Sequence, residues 1–486
     1  MKRNIYSLLI GLLILFSACE SIVEDVNENP NDFVVEDIDP VLFLNGMMLA
    51  DIQVNVGHVV RISGAWNGHF IGFQQLYQNL YQYNITAAET NGIWAFTYQG
   101  VLAQGKSIRS RAEDDLLLAG ITQVLEAHSL GTLTSLFGDI PFDEAVTEVE
   151  DPVFDSQMDV LAGLQVKLDD AIAALEQAEG RAISQDIIFG GDKDKWIETA
   201  WTLKARYYML ARDYGNAYDA AQNGISSDDN SMLYTPPANF DNFEDANTLF
   251  SLLSGSRSGD IGTTDFEDGE LIEESYVMRL MNDEDEVSRN NAKTDETARR
   301  EYLTVERDGG ASRGVAAQDE PMNLVTFEEN NLILAEAGAR TEGFAVGLGH
   351  LNDHREFLNS GAAFPDFVDD FSFNYEAYEA ADFQNGGIEN PENVSQDLAL
   401  LREIIEERYI SGFGTTVPFD DTRRIRQDPD ADVLSVPFPL SGIQANNAPN
   451  GTPPERFIYS QNELNSNPNA VEARRGLFEP TPVNTM

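Results

Sequence analysis

The 486-residue chain contains a single cysteine, at position 19. One thiol cannot form an intrachain disulfide, so the fold has to be stable without covalent cross-links. Hydrophobic residues make up 42% of the sequence, and a chain of this length can bury a large apolar core. No obvious linker divides it, which favours one large folded unit.

Basic residues are also scarce. There are 31 Lys and Arg against 82 Asp and Glu, and the formal net charge is −51. A surface this negative repels nucleic acid and sulfated or uronic polymers, and salt screens the repulsion. We therefore expect no nucleic-acid partner. Acidic chains are often disordered, but 27 Phe, 16 Tyr and 4 Trp predict a folded protein.

The N-terminus, residues 1–18, is typical of an export signal. Lys2 and Arg3 precede the apolar run 5–16, which is shorter than the roughly 20 apolar residues of a membrane-spanning helix. The run leads into Ser-Ala-Cys, which looks like the lipobox of a bacterial lipoprotein, so Cys19 is the predicted lipidation site. Ordinary secretion with a free thiol is the alternative. Loss of Lys2 and Arg3 with the signal changes the net charge from −51 to −53.

Helical periodicity dominates the body of the chain. Apolar residues three and four apart predict amphipathic helices, and sustained β alternation is scarce. Paired helices with small residues, as in 215–225, resemble tetratricopeptide hairpins. The predicted fold class is mainly α, with tetratricopeptide-like helical hairpins that form an α/α superhelical scaffold. The stripes are Leu161, Leu164, Leu168, Ile172 and Leu175; Trp196, Ala200, Leu203, Tyr207 and Leu210; and Leu398, Leu401, Ile405 and Tyr409.

Composition divides the exported part into a tether and a folded domain. Residues 19–40 are acidic and rich in Asn and Pro, which predicts a tether. Residues 41–486 form the predicted domain. Within it, the segments 226–325, 360–397 and 426–486 are rich in Gly, Asn, Asp and Pro. Loops this long are unusual in a compact domain unless they carry function, so we expect ligand-carrying loops there.

Residues 100–107, GVLAQGKS, match the pattern of a phosphate-binding loop, G-x-x-x-x-G-K-[ST]. Such a loop follows a buried strand and lies at a helix N-terminus. Here no β-rich run precedes it, and Trp94, Tyr98, Val101 and Ile108 fall on one face of a helix that runs through the motif. The match is a coincidence of spacing, and we predict no nucleotide cofactor.

Other motifs also fail to indicate chemistry. His350 and His354 have the spacing of two metal ligands on one helical face, but two surface or packing histidines are the expected outcome. The acidic run 282–287 lacks the glycine and spacing of a calcium loop. No nucleophile elbow is present, and carboxylate pairs are too frequent to indicate a glycosidase. We expect no metal, no cofactor and no enzymatic activity.

The most informative stretch runs from Trp66 to Tyr98, where nine aromatic residues alternate with Gln and Asn. Aromatic rings present apolar faces to sugar C–H groups, and side-chain amides bond to hydroxyls, which is the chemistry of a neutral oligosaccharide site. Core packing is the alternative for most of these rings. The candidate ligand-binding residues are Trp66, Trp94, Tyr81, Asn79 and Gln82.

Six stretches in order resemble the SusD/RagB family, the SusD-like nutrient-binding outer-membrane lipoproteins of Bacteroidetes. Three positions depart from the family pattern: Phe142 replaces Tyr, Trp201 replaces a small residue or Asn, and Ser460 replaces a common Pro. The stretches are NENPN (27–31), SLFGDIPFDEAV (135–146), DIIFGGDKDKWIETAWTLKARYYMLAR (186–212), FEENNLILAEAGAR (327–340), IIEERYISGF (404–413) and PPERFIYSQNELNSNPN (453–469).

The resemblance implies a non-catalytic, lipid-anchored lid at the cell surface, on the outer membrane. Its expected partners are a neutral oligosaccharide, such as a glucan fragment, and a SusC-like TonB-dependent transporter. Tyr276 and Phe250 become further candidates because 226–325 carries ligand loops in similar proteins. Capture of peptides by such a lid and an unrecognised hydrolase activity are the alternatives.

Overall fold

The computed structural model describes residues 38–237, 246–255, 257–307, 313–436 and 442–485. Cys19, the 27–31 stretch, the signal and nearly all of the predicted tether lie outside these ranges. The described chain is mainly helical, as predicted. Its α-helices are α1 (Leu42–Val56), α2 (His58–Trp66), α3 (Gln75–Tyr81), α4 (Asn91–Ala95), α5 (Ala103–Arg111), α6 (Leu116–Phe137), α7 (Gln157–Gln177), α8 (Lys193–Leu210), α9 (Tyr214–Ala221), α10 (Thr248–Leu253), α11 (Tyr276–Leu280), α12 (Thr297–Leu303), α13 (Phe327–Thr341), α14 (Phe344–Asn359), α15 (Gln396–Ser411), α16 (Val417–Ile425), α17 (Ala431–Leu434), α18 (Gly442–Asn447), α19 (Gln461–Ser466) and α20 (Pro468–Ala473).

The helical scaffold is built from neighbours that pack in succession. Helix α6 packs on α7, α7 on α8, α8 on α9, α9 on α13, and α13 on both α14 and α15. Short connections join α8 to α9 and α13 to α14, which makes them helical hairpins. The predicted apolar stripes of α7 and α8 are buried, and Asp192 caps α8 by accepting hydrogen bonds from Asp194 N and Lys195 N. The prediction of a hairpin scaffold is confirmed.

Close contact between α6 and α8 depends on a glycine. A β-carbon at Gly131 would lie 2.1 Å from the Tyr207 ring, whose hydroxyl donates a hydrogen bond to Ala127 O at 2.8 Å. Of the helices in the described ranges, only α6 is long and apolar enough to cross a membrane, and 83% of its most apolar window is buried in the protein. It is therefore a central core helix.

The GVLAQGKS stretch is helical throughout, as predicted. It begins in a π-helical turn, Phe96–Leu102, and continues into α5. Gly105 lies against the Glu126 carboxylate, which pairs with Arg109 and Lys167 at 2.7 Å. The motif residues thus serve helix packing.

The segments predicted as long loops contain more structure than expected. The described ranges hold four two-stranded antiparallel pairs: β1 (Ile71–Gly72) with β3 (Ile261–Gly262), β2 (Met232–Tyr234) with β7 (Met322–Val325), β4 (Thr264–Glu267) with β5 (Glu270–Glu274), and β6 (Thr294–Asp295) with β8 (Asn374–Tyr375). Strands of two to five residues are too short to show an alternating pattern, and most of these partners are distant in sequence. Pairing therefore could not be read locally.

Candidate ligand-binding site

The aromatic stretch 66–98 contributes mainly to the core. Trp66 is 1% exposed, its ring stacks on Phe457 at 4.5 Å, and its Nε1–H donates to Leu80 O at 2.8 Å. Protein covers the ring, so in this structure Trp66 offers no face to a sugar.

Trp94 is also buried, at 4% exposure. Its ring stacks on Tyr98 at 5.3 Å and meets Phe137 and Tyr459 edge to face. Unlike Trp66, it reaches a surface depression, the Trp94 groove, which lies between α4, the 141–152 loop and the segment 460–467.

The other predicted residues are dispersed. Asn79 is exposed, and Tyr81 and Gln82 are partly exposed at the end of α3. The carbonyl oxygens of Tyr81 and Gln82 accept hydrogen bonds from Gln444 Nε2 at 3.2 Å and Asn447 Nδ2 at 2.8 Å. The structure does not bring these three together with either tryptophan in one depression.

Tyr276 and Phe250, the two candidates from the 226–325 segment, contribute to packing. Tyr276 is 7% exposed and meets Tyr409 edge to face, and burial raises the pKa of its hydroxyl. Phe250 is half-buried against the main core. Neither lines the cavity described next.

A cavity of about 280 Å³ lies between the helical body and the 226–325 segment. We call it the loop cavity. Most of its wall is apolar, and its polar groups come from distant parts of the chain. Its wall includes Arg61 from α2, Thr248 and Leu249 from α10, Tyr302 and Leu303 from α12, Glu320, Asn323 from β7, Glu328 from α13, and Phe357 and Phe413.

Asn247 holds the segments around this cavity in place. Its Oδ1 accepts hydrogen bonds from Leu249 N at 2.9 Å and Phe250 N at 3.2 Å, which caps α10. Its Nδ2 donates to Val315 O at 3.2 Å and Glu320 O at 3.0 Å. Because Asn247 is 1% exposed and uses both ends of its amide, it ties α10 to the far side of the cavity wall.

Two hydrogen-bonded pairs contribute polar groups to this mostly apolar wall. Arg61 Nε donates to Tyr77 Oη at 2.9 Å, and no carboxylate of the described residues pairs with the Arg61 guanidinium. Tyr302 Oη donates to Glu320 Oε1 at 2.7 Å. The Asn323 side chain has no hydrogen-bond partner within the described ranges. These groups offer both donors and acceptors to a ligand.

Carboxyl groups at the cavity are less acidic than usual. Burial raises the pKa of Glu328, Glu320 and Asp228, all of which line the wall. Arg299, also in the wall, is committed elsewhere, because it pairs with Glu407 at 2.7 Å and donates to Ser411 Oγ at 2.7 Å. The carboxyl groups of Glu328, Glu320 and Asp228 can hydrogen-bond hydroxyl groups of a ligand.

The two histidines at metal-ligand spacing have different partners. His354 is buried and its Nε2 lies 3.2 Å from Glu407 Oε1, whereas the His350 ring meets Tyr218 edge to face. Within the described ranges, no group of three or more His, Cys, Asp or Glu side chains could hold a metal ion.

Sequence reasoning missed Arg61, Tyr302 and Glu320. Arg61 could have been noticed in the sequence, because it is a basic residue in the mostly apolar helix HVVRISGAW. Tyr302 and Glu320 lie in the segment predicted to carry ligand loops, but nothing local distinguishes them from the other residues there.

The structure is a helical scaffold with a cavity between its helical body and the 226–325 segment. Residues 30–354 match a SusD-like family described as "Starch-binding associating with outer membrane". That range covers most of the chain, and the protein therefore belongs to the SusD-like family, as predicted. The family is one of carbohydrate-binding proteins associated with the outer membrane. Curated proteins gave no match.

Solved structures agree on the fold. A SusD/RagB family protein from Bacteroides thetaiotaomicron has a TM-score of 0.65 at 17% identity, covering 92% of this chain and 99% of that one. A SusD homologue from Bacteroides uniformis has 0.65 at 15%, covering 91% and 99%. A chitin-binding SusD homologue from Flavobacterium johnsoniae has 0.61 at 17%, covering 90% and 95%.

Proposed function

We propose that this protein is a non-catalytic surface lipoprotein that captures an oligosaccharide in the loop cavity and delivers it to a SusC-like TonB-dependent transporter. One observation supports the loop cavity as the binding site. Arg61, Tyr302 and Glu320 line the apolar cavity that the 226–325 segment forms with the helical body. Apolar walls contact the C–H faces of sugar rings, while the polar groups fix the hydroxyls.

The expected ligand is a neutral glycan such as a glucan. The net charge of −51 opposes the approach of uronic or sulfated polymers. The family description names starch, and one structural relative binds chitin, which supports neutral polysaccharides as the class. At about 280 Å³, the cavity is near the lower limit of ligand pockets, roughly 300–1,000 Å³. It therefore holds the end of an oligosaccharide and not a long chain.

Lipidation at Cys19 would place the protein at the outer membrane. An acyl anchor with two or more chains binds a membrane stably, and a nearby transporter would receive the ligand directly. The test is co-purification of the transporter with the full-length chain from outer membranes, compared with a Cys19→Ser variant. Loss of membrane association in that variant is the expected result, and unchanged association contradicts the anchor.

Affinity electrophoresis tests glycan capture. The full-length chain in detergent is run through gels containing starch, a β-glucan, soluble chitin derivatives or polygalacturonate. We expect retardation by at least one neutral polymer and none by polygalacturonate. Absence of retardation in every gel, together with binding to a peptide library, would replace glycan capture with peptide capture. Shortening of the polymer over time would indicate a hydrolase.

A further inference from the structure

The loop cavity has a small neighbouring cavity, which we call the side pocket. The side pocket has a volume of about 20 Å³, which is room for one water-sized group. Asn323, Thr326 and Ser411 line both cavities, so the two adjoin at these three residues. A small substituent on a ligand in the loop cavity would reach the side pocket at this junction.

The side pocket suits an apolar group better than water. Most of its surface is apolar, and its apolar lining residues are Leu324, Leu332 and Val417. Glu329 also lines it, but that carboxylate is paired with Arg206 at 2.6 Å. A buried water needs about 2–4 polar partners, which this surface supplies poorly. A methyl group needs none.

Asn323 supplies an amide at the junction of the two cavities. It lies on β7, opposite Leu233 of β2, and it is partly exposed. Its side chain has no hydrogen-bond partner among the residues that the structure describes. The side-chain amide combines a carbonyl acceptor with N–H donors. A secondary amide on a ligand presents the complementary donor and acceptor.

Glu328 supplies a second unpaired group. It lines the loop cavity two residues after Thr326 and is partly exposed. Its carboxyl group makes no hydrogen bond or ion pair with another residue of the described ranges. Thr326 holds the start of α13 in place, because its Oγ1 accepts a hydrogen bond from Glu329 N at 3.1 Å. The Glu328 carboxyl group can therefore accept a hydrogen bond from a ligand N–H.

Positive charge near the junction is already neutralised. Arg299, in the wall of the loop cavity, pairs with Glu407 at 2.7 Å. Arg408, in the wall of the side pocket, pairs with Asp421 at 2.8 Å. Arg61 has no carboxylate partner within the described chain, and it lines the loop cavity but not the side pocket. A substituent that enters the side pocket should therefore be uncharged.

We propose that the loop cavity selects sugars that carry an acetamido group. The amide of this group binds Asn323 and Glu328, and its methyl group occupies the side pocket. The inference rests on the proposed function and narrows its ligand class from neutral sugars to N-acetylated ones. A glucose unit carries a hydroxyl at the same ring carbon, which leaves the side pocket unfilled and the Asn323 amide incompletely bonded. A site built to hydrogen-bond one group discriminates against an analogue that lacks it.

Three tetrasaccharides with the same β-linked backbone test the proposal. Chitotetraose, cellotetraose and fully deacetylated chitotetraose carry an acetamido group, a hydroxyl and an ammonium group at the same ring carbon. Isothermal titration of the full-length chain in detergent measures each affinity, and maltotetraose represents an α-linked glucan. We expect chitotetraose to bind about tenfold more tightly than either of the other two β-linked tetrasaccharides.

Asn323→Ala tests the residue that binds the amide. We expect the ratio of the chitotetraose affinity to the cellotetraose affinity to fall about fivefold, the effect of one lost hydrogen bond. Asn385→Ala is the matched control, because Asn385 is exposed and lines neither cavity, and it should keep the wild-type ratio. Thermal unfolding shows whether both variants are folded. If Asn323→Ala does not fold, the three ligands still decide the question in the wild type.

The outcomes separate this inference from the proposed function. Equal affinities for chitotetraose and cellotetraose, or binding of maltotetraose alone, would refute acetamido selectivity and leave glycan capture standing. Tightest binding of the deacetylated tetrasaccharide would refute it in favour of charge attraction. An unchanged affinity ratio in folded Asn323→Ala would refute it because the amide would be recognised elsewhere. If no saccharide binds, the proposed function is refuted as well.

Discussion

Arg61 Nε donates a hydrogen bond to Tyr77 Oη at 2.9 Å, and His58 Nδ1 lies 3.1 Å from the same hydroxyl. His58 in turn contacts Glu89 through Nε2 at 2.9 Å. These contacts orient Arg61. The Glu89 carboxylate pairs with His58 and not with the Arg61 guanidinium. The charge of Arg61 is thus available at the loop cavity, which makes this residue the first to test.

Arg61→Ala should weaken glycan binding by about 1.5–3 kcal/mol, because a hydrogen bond from a charged donor to the ligand is lost. Isothermal titration with the glycan that retards the protein in gels measures the change. Arg474→Ala is the control, since Arg474 is exposed and lies outside the cavity. Equal affinities for the Arg61 variant and the control would remove Arg61 from the site.

Asn247 should affect both stability and binding. Asn247→Ala loses the cap of α10 and two bonds to the cavity wall, so we expect a loss of about 1–3 kcal/mol of unfolding free energy and weaker binding. Asn247→Ser keeps a capping oxygen but cannot donate to both Val315 O and Glu320 O. We expect this variant to recover part of the stability and none of the affinity. Full recovery of affinity would show that binding depends on the cap of α10 and not on the hydrogen bonds to Val315 O and Glu320 O.

Trp66→Ala should destabilise the fold by about 3–5 kcal/mol, the range for removing a buried large aromatic side chain. Thermal unfolding measures the loss, and titration below the melting temperature measures affinity. We expect glycan affinity to be unchanged in the folded protein. A large affinity loss without a fall in melting temperature would return Trp66 to the list of ligand contacts.

The stability that two partly buried glutamates contribute should fall as pH rises from about 4.5 to about 8. Burial, with Glu403 nearby, raises the pKa of Glu389 to about 8 and that of Glu406 to about 7, whereas an unfolded Glu titrates near roughly 4.3. The folded state therefore retains protons that the unfolded chain has lost. That stabilisation is complete below roughly pH 4 and is lost as pH passes the folded pKa values.

Glu389→Gln isolates this effect. It should flatten the decline in melting temperature over that pH interval, because the amide does not ionise beside Tyr378 Oη, which now donates to Glu389 Oε1 at 2.5 Å. Glu472→Gln, at an exposed position, should keep the wild-type decline. If the melting temperature falls with pH equally in Glu389→Gln and in the wild type, other groups cause the pH dependence.

Local patterns predicted the scaffold well. Leu161, Leu164 and Leu168 repeat at helical spacing, and all three are buried, because a helix that packs on one side must place apolar residues on that side. The same rule predicts nothing about residues that meet only through tertiary contacts. Arg61 and Tyr302 are about 240 positions apart in the sequence, and both line the loop cavity.

The aromatic stretch 66–98 shows another limit of prediction from sequence, which is burial by distant parts of the chain. The stretch that contains Trp66 and Trp94 has the aromatic and amide composition expected of a sugar site. Composition does not show which rings are covered by other parts of the chain. Phe457 covers Trp66 and Tyr459 contacts Trp94, and both partners come from the C-terminal segment. Their presence near the 66–98 stretch could be known only from the folded chain.

The most direct test of the account is a crystal structure of the protein with the oligosaccharide that retards it in gels. We predict sugar density in the loop cavity, with hydroxyls within hydrogen-bonding distance of Arg61 and of the Tyr302–Glu320 pair. Density elsewhere with an empty loop cavity would contradict the assignment of the site. A peptide in that cavity, with no saccharide bound anywhere, would contradict glycan capture itself.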